Sequence, residues 1–240
     1  MTQLVLKNLV KIYDDKKVVD NVNLTVKQGQ VTGLLGPNGA GKTTTFYMSV
    51  GLIKSDGGTV LIDNEDITHH PMYIRARKGI GYLPQESSIF KKLTVQENIT
   101  AILEVLPQNE FNIKQKAMDL MKELGISNLA NQKANSLSGG ERRRLEISRV
   151  LATGPLFILL DEPFAGIDPL AVIDIQQIIY QLTKKGIGVL ISDHNVRETL
   201  GVCDNAYIMS QGKVIESGNP DKIISSDIAK KIYLGENFKL

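Results

Sequence analysis

A single cysteine, Cys203, stands among the 240 residues, which excludes an intrachain disulfide and fits a reducing compartment. No apolar run approaches the roughly 20 residues that a membrane-spanning helix needs. The run "LFILL" at 156–160 has the length of a buried strand instead. The opening "MTQLVLKNLVKIYDDKK" carries charge too early for a secretory signal. Any service to a membrane is therefore expected through a partner. Excess charge is also missing: 28 basic against 26 acidic residues leave a formal +2, giving no case for a nucleic-acid or polyacidic partner. Internal repeats and low-complexity segments are absent too. What is present, 42% hydrophobic and 22% charged residues, is ordinary for a globular chain with a substantial core.

Hydropathy patterning alternates from Gln3 to Val31, in "LVLKNLVKIY" and "VNLTV" around a "DDKK" turn, and predicts antiparallel strands. "GGTVLIDNEDI" predicts a further hairpin, and "AYIMSQGKVIESG" a last one. From about Ser87 to Ala152 the pattern is mostly helical, as in the amphipathic "IKQKAMDLMKELGI". "LFILLDEP" and "IGVLISDH" are the continuous apolar runs of strands buried on both faces of a parallel sheet, with the helix "PLAVIDIQQIIYQLTKKG" between them. Strands alternating with helices make the fold class α/β, with a β lobe first and a helical insertion in the middle.

"GPNGAGKT", Gly36 to Thr43, matches G-x-x-x-x-G-K-[ST] between a strand and a helix. Its glycines, Gly36, Gly39 and Gly41, allow backbone N–H groups to turn toward phosphate oxygens, and the helix N-terminus adds partial positive charge. Lys42 reaches the β- and γ-phosphates, and Thr43 offers a hydroxyl to Mg²⁺. A plain strand–loop–helix turn needs neither of these side chains, so the chain is expected to bind a nucleoside triphosphate.

"FILLDEP" ends a buried strand in Asp161 and Glu162, at the carboxyl edge where open α/β sheets bind ligands. Asp161 is placed to hold Mg²⁺, directly or through water. Neighbouring side chains at a strand end point apart, so Glu162 is free for a second task, polarising the attacking water. His194 ends another apolar strand, as one of three histidines. Its imidazole is expected on the γ-phosphate or the water. Gln85 follows a short apolar run, with its amide toward Mg²⁺ or water. Tyr13 either stacks on a base or is a half-buried strand tyrosine.

"SLSGGERRR", residues 136–144, is a second glycine-led helix start. Ser138 and Glu141 form a capping box, which explains those two residues. It does not explain Gly139 and Gly140, each costing roughly 0.5–1 kcal/mol relative to alanine inside a helical turn. Bare backbone at a helix N-terminus suits close approach of a phosphate, and a second copy of the chain is the expected source of it. The arginines are open to two readings, surface charge or contact with a neighbouring lobe.

Together these residues resemble the nucleotide-binding subunits of the ABC ATPases. "GPNGAGKT" is similar to their Walker A, "FILLDE" to their Walker B and "LSGGE" to their signature motif. The resemblance implies a P-loop NTPase, RecA-like parallel-sheet core with an N-terminal antiparallel β lobe and an inserted helical subdomain. A single domain over 4–235 is implied: lobe and core at 1–86 and 153–220, helical subdomain at about 87–152, and a short helical tail at 221–240.

It implies ATP at Gly36, Pro37, Asn38, Gly39, Ala40, Gly41, Lys42, Thr43 and Thr44, with Tyr13 on adenine. It further implies Gln85 as the Q-loop, Glu162 and His194 as catalytic residues, and Mg²⁺ at Thr43, Gln85 and Asp161. Ser138, Gly139, Gly140, Glu141 and Asp168 would face the ATP of a second, head-to-tail copy. "AGID" at 165–168 departs from the Ser-Ala-Leu-Asp common at this position but keeps Asp168. A homodimer is implied on the cytoplasmic face of the inner membrane, bound to two integral-membrane subunits near Phe90. Core packing is the alternative for that ring. No nucleic-acid partner and no direct lipid binding are expected. The stretches "GIGYLPQESSIFKKLTVQENI", "ISDHNVRETL" and "YLGENFKL" resemble most closely the lipopolysaccharide-exporting branch. The branched-chain amino-acid importers share many of the motifs.

Overall fold

The structure, a computed structural model, describes residues 2–106, 110–235 and 238. The alternating residues near the N-terminus form β1 (Gln3–Tyr13) and β2 (Lys16–Lys27), antiparallel, with Asp14 and Asp15 both at positive φ in the two-residue turn. Next, β3 (Val31–Leu35) runs through the glycine loop into α1 (Lys42–Val50), followed by β4 (Gly57–Ile62) and the two-residue β5 (Glu65–Asp66). One sheet is antiparallel, in the order β2-β1-β4-β5.

A short helix, α2 (Met72–Arg77), precedes β6 (Ile80–Leu83) and supplies Arg75, which is 2% exposed. Its guanidinium donates to the carbonyls of Met48, Ser49, Thr68 and His70, two of which belong to the last turn of α1. A buried cation thus satisfies carbonyls that a helix end leaves unpaired.

The insertion contains α3 (Val95–Glu104), α4 (Glu110–Glu123) and α5 (Gly139–Leu151). After it come β7 (Phe157–Asp161), α6 (Pro169–Lys184), β8 (Gly188–Ser192) and α7 (Val196–Leu200). The chain then forms the hairpin of β9 (Asn205–Ser210) and β10 (Lys213–Gly218), α8 (Pro220–Ser225) and short helical turns through 234. Residues 236–237 and 239–240 of the expected tail lie outside the described residues.

The second sheet is ordered β10-β9-β3-β8-β7-β6, parallel from β9 to β6 with antiparallel β10 at its edge. Side chains alternate across it. Phe157 and Leu159 enter the core under the antiparallel sheet and α1, while Ile158 and Leu160 enter the core shared with α6 and the insertion. Burial on both faces is why β7 and β8 read as unbroken apolar runs, each large side chain contributing about 1.5–3 kcal/mol. The insertion has no core of its own, since Ile99 and Leu145 pack in one cluster with Leu160 and Ile175. Among the described residues no helix is long and apolar enough to cross a membrane.

Candidate functional site

Parallel pairing of β3, β8, β7 and β6 brings their carboxyl ends to one edge of the sheet. From that edge the chain delivers the glycine loop, His194, the Asp161–Glu162 pair and Gln85. The loop is held tightly from behind. A Cβ at Gly36 would lie 2.2 Å from the Met209 carbonyl oxygen, and one at Gly41 would lie 2.5 Å from that of Val18. Both residues also have positive φ, 148° and 99°, so only glycine fits either place.

Where α3, α5, α6 and α8 begin with side-chain caps, α1 has none and carries no acidic residue in its first turn. Lys42 is 8% exposed and donates from Nζ to the carbonyls of Gly36 (2.7 Å) and Pro37 (3.1 Å). Burial holds its pKa below the usual lysine value, against the upward pull of Glu162, Asp193 and Asp161. An open helix N-terminus, a glycine cradle and a buried ammonium bound only to carbonyls fit a polyphosphate. Thr43 is exposed in the first turn of α1.

The two carboxylates diverge as the sequence predicts. Asp161 is 3% exposed, and burial, with the Glu162 charge second, lifts its pKa to about 6. Its Oδ2 accepts a long hydrogen bond of 3.4 Å from the Tyr82 hydroxyl. Glu162 adopts φ 46°, a left-handed conformation costly for a side chain of this size, and its N–H donates to the Ser192 carbonyl at 2.6 Å. That bend turns Glu162 out of the strand toward Gln85, whose Nε2 donates to Glu162 Oε2 at 2.7 Å. His194 is half-exposed, with Nδ1 3.5 Å from Glu162 Oε2 and 3.6 Å from Asp193 Oδ1. Gln85, Glu162 and His194 therefore converge, and Asp161 stands behind them. The amide oxygen of Gln85 is the atom suited to a cation, alongside Thr43 and Asp161.

The second glycine loop is elsewhere. Ser138 N–H donates to Glu141 Oε2 at 2.9 Å, and Glu141 N–H returns to Ser138 Oγ at 3.4 Å, completing the capping box. A Cβ at Gly139 or Gly140 would meet nothing within 4 Å in this chain. These residues line a cleft of about 390 Å³ with Glu141 and Asp168, and none of residues 36–44 lines it. Asp168 caps α6, its Oδ1 accepting the Ala171 N–H at 3.0 Å.

Tyr13 is exposed rather than half-buried, with the Lys11 ammonium 5.2 Å from its ring centre. Phe90 is likewise exposed, beneath the Arg149 guanidinium at 4.6 Å, so it is not core. Of the arginines after the glycine pair, Arg143 and Arg144 contact neighbouring elements, while Arg142 donates to the Leu137 carbonyl of its own loop. Arg143 donates to the Pro84 carbonyl (3.2 Å) and to Glu146 (3.0 Å), and Arg144 pairs with Asp174 at 2.5 Å. Sequence reasoning missed Tyr82 and Asp193, and left Arg143 among arginines with two open readings. Only Asp193 left a signal, a second carboxylate beside the strand-end histidine.

Residues 19–165 match the family described as ABC transporter. The chain is 54% identical over 244 residues to the lipopolysaccharide export system ATP-binding protein LptB of Haemophilus influenzae, covering 100% of both chains. A solved ATP-binding cassette of an ABC transporter in its ADP conformation is similar at TM-score 0.89 and 33% identity, covering 98% of this chain and 100% of that one. A dimeric cassette in a post-hydrolysis state, bound to ADP and Pi, is similar at TM-score 0.78 and 26% identity over 90% of this chain and 98% of that one. With the phosphate cradle, the strand-end carboxylates and the second glycine loop all present, the chain belongs to the ABC transporter family, as one of its ATP-hydrolysing subunits.

Proposed function

We propose that this chain hydrolyses ATP at two sites shared between two head-to-tail copies of itself, and that the pair drives lipopolysaccharide export through two integral-membrane subunits. The observation that carries the reading is full-length identity of 54% to a subunit named for that export system. Residues 4–235 act as one ABC ATPase domain, with the helical part at about 87–152 presenting the second glycine loop to the partner copy. The assembly sits on the cytoplasmic face of the inner membrane, without nucleic acid and without itself touching lipid. Exposed Phe90 and the segment after Gln85 are its contact with the membrane subunits.

Phosphates of ATP replace the carbonyls of Gly36 and Pro37 as partners of Lys42, and the residues from Gly36 to Thr44 surround them. Tyr13 covers the base. Thr43, Gln85 and Asp161 would hold Mg²⁺, which would supply positive charge against that of the phosphate oxygens. Glu162 polarises the attacking water, a role typically worth 10²–10⁴ in rate, and His194 steadies the γ-phosphate beside it. From the other copy, Ser138, Gly139, Gly140, Glu141 and Asp168 close the site over the nucleotide. The open space around Gly139 and Gly140 supports this assignment, because their own chain makes no use of it. ATP must then bind the closed pair better than the open one by the free energy passed to the membrane subunits.

Purification of the chain from membranes, with mass spectrometry of what accompanies it, tests the substrate. Recovery of lipopolysaccharide-export membrane subunits is the expected result. Recovery of amino-acid permease subunits would overturn the export reading and leave the ATPase reading standing.

A further inference from the structure

The segment that follows Glu162 and the segment that carries His194 leave different strands, yet they meet at the main chain of one residue, Phe164. Its N–H donates to Asp193 Oδ2 at 2.9 Å, across 29 residues of sequence, and its carbonyl accepts from Asn195 Nδ2 at 3.2 Å. The other oxygen of Asp193 accepts the N–H of Asn195 at 2.8 Å. Asp193 is 0% exposed and Phe164 2%, so water does not substitute for these bonds. A turn closed by an aspartate uses one carboxylate oxygen on its own backbone two residues on. That local role accounts for Oδ1 and leaves the reach of Oδ2 to Phe164 unexplained. Both backbone partners are donors, so both oxygens have to be acceptors, and only a carboxylate meets that demand at this size.

The clamp is well placed to matter. His194 lies between its two members, Asp193 and Asn195, and Phe164 lies between Glu162 and Asp168. A further tie, from the Glu162 N–H to the Ser192 carbonyl, joins the same two segments at 2.6 Å. We propose that Asp193 and Asn195 are positioning residues for hydrolysis, gripping both main-chain groups of Phe164 so that the His194 imidazole stays beside Glu162. The proposal rests on the catalytic reading of Glu162 and His194.

Three variants of the full-length chain, assembled with its membrane subunits, test it: Asp193→Asn, Asn195→Ala and His194→Ala, each alone and each clamp variant combined with His194→Ala. Asparagine at 193 keeps the shape but turns an NH₂ toward one of the two N–H donors. Asn195 is only partly buried, so its alanine variant keeps the question open to test should Asp193→Asn not fold. Each clamp variant is expected to lower kcat roughly ten- to hundredfold, the rate equivalent of one lost buried hydrogen bond, with ATP affinity unchanged within about threefold. In the His194→Ala background the same changes are expected to alter single-turnover hydrolysis by less than about twofold, since the residue they position is gone. Equal losses with and without His194 would overturn the clamp while leaving the catalytic reading intact. Unchanged hydrolysis in His194→Ala alone would overturn both.

Discussion

Asp161→Asn is expected to make the nucleotide-free protein more stable while abolishing its hydrolysis. In the folded chain the Asp161 carboxyl is 3% exposed and beside the Glu162 charge, and its pKa stands at about 6 against 3.8 for an unperturbed group. Between those values the native state holds a proton that the unfolded chain has released, so stability falls as pH rises through that window. Above it the ionised carboxylate costs up to about 3 kcal/mol, at 1.36 kcal/mol per pKa unit. Asparagine removes the charge without changing the shape. For a chain of this size the gain corresponds to a rise of roughly 6–12 °C in Tm at pH 7.5, shrinking toward nothing near pH 4. Thermal unfolding of both proteins at pH 4.5, 6 and 7.5, without nucleotide or metal, measures it. A Tm difference independent of pH, or a variant less stable than the parent at pH 7.5, would refute the reasoning.

Three more outcomes are expected. Glu162→Gln should keep ATP binding, trap a dimer detectable by size-exclusion chromatography and slow hydrolysis by roughly 10²-fold or more; unchanged turnover removes Glu162 as the base. Mixing Lys42→Ala chains with Ser138→Arg chains should leave each mixed dimer at most one intact shared site, which counting trapped nucleotide per dimer reveals; finding none argues against sharing. Gly140→Ala has room for its methyl group in its own chain and should stabilise the isolated chain by about 0.5–1 kcal/mol in urea titration. The same change should depress ATP hydrolysis, and equal activity would mean that no phosphate approaches there.

The elements most legible in the sequence were those whose cause is local. Period-2 alternation showed β1 and β2, and the apolar runs before Asp161 and His194 showed strands buried on both faces. Glycine spacing with Lys42 and Thr43 showed the phosphate cradle, because backbone conformation and helix dipole act within a few residues. The convergence of Gln85, Glu162 and His194 was legible only as three strand ends, since strand order brings them together. Arg143 on Pro84 and Asp193 on Phe164 were not legible. Each joins residues distant in sequence through one main-chain group, and nothing in a run of arginines or in "SDHN" says which carbonyl or N–H is within reach. Phe90 was ambiguous for a similar reason, since exposure depends on what α5 places beside it.

The alternation along β7 has a thermodynamic consequence. With Phe157 and Leu159 serving one core and Ile158 and Leu160 the other, this strand is a wall common to both. Loosening it on one side strips packing from the other, which couples the melting of the antiparallel lobe to that of the helical insertion. The nucleotide-free chain is thereby expected to unfold with its two cores coupled, and with its slowest amide exchange along this strand, a few residues from Glu162.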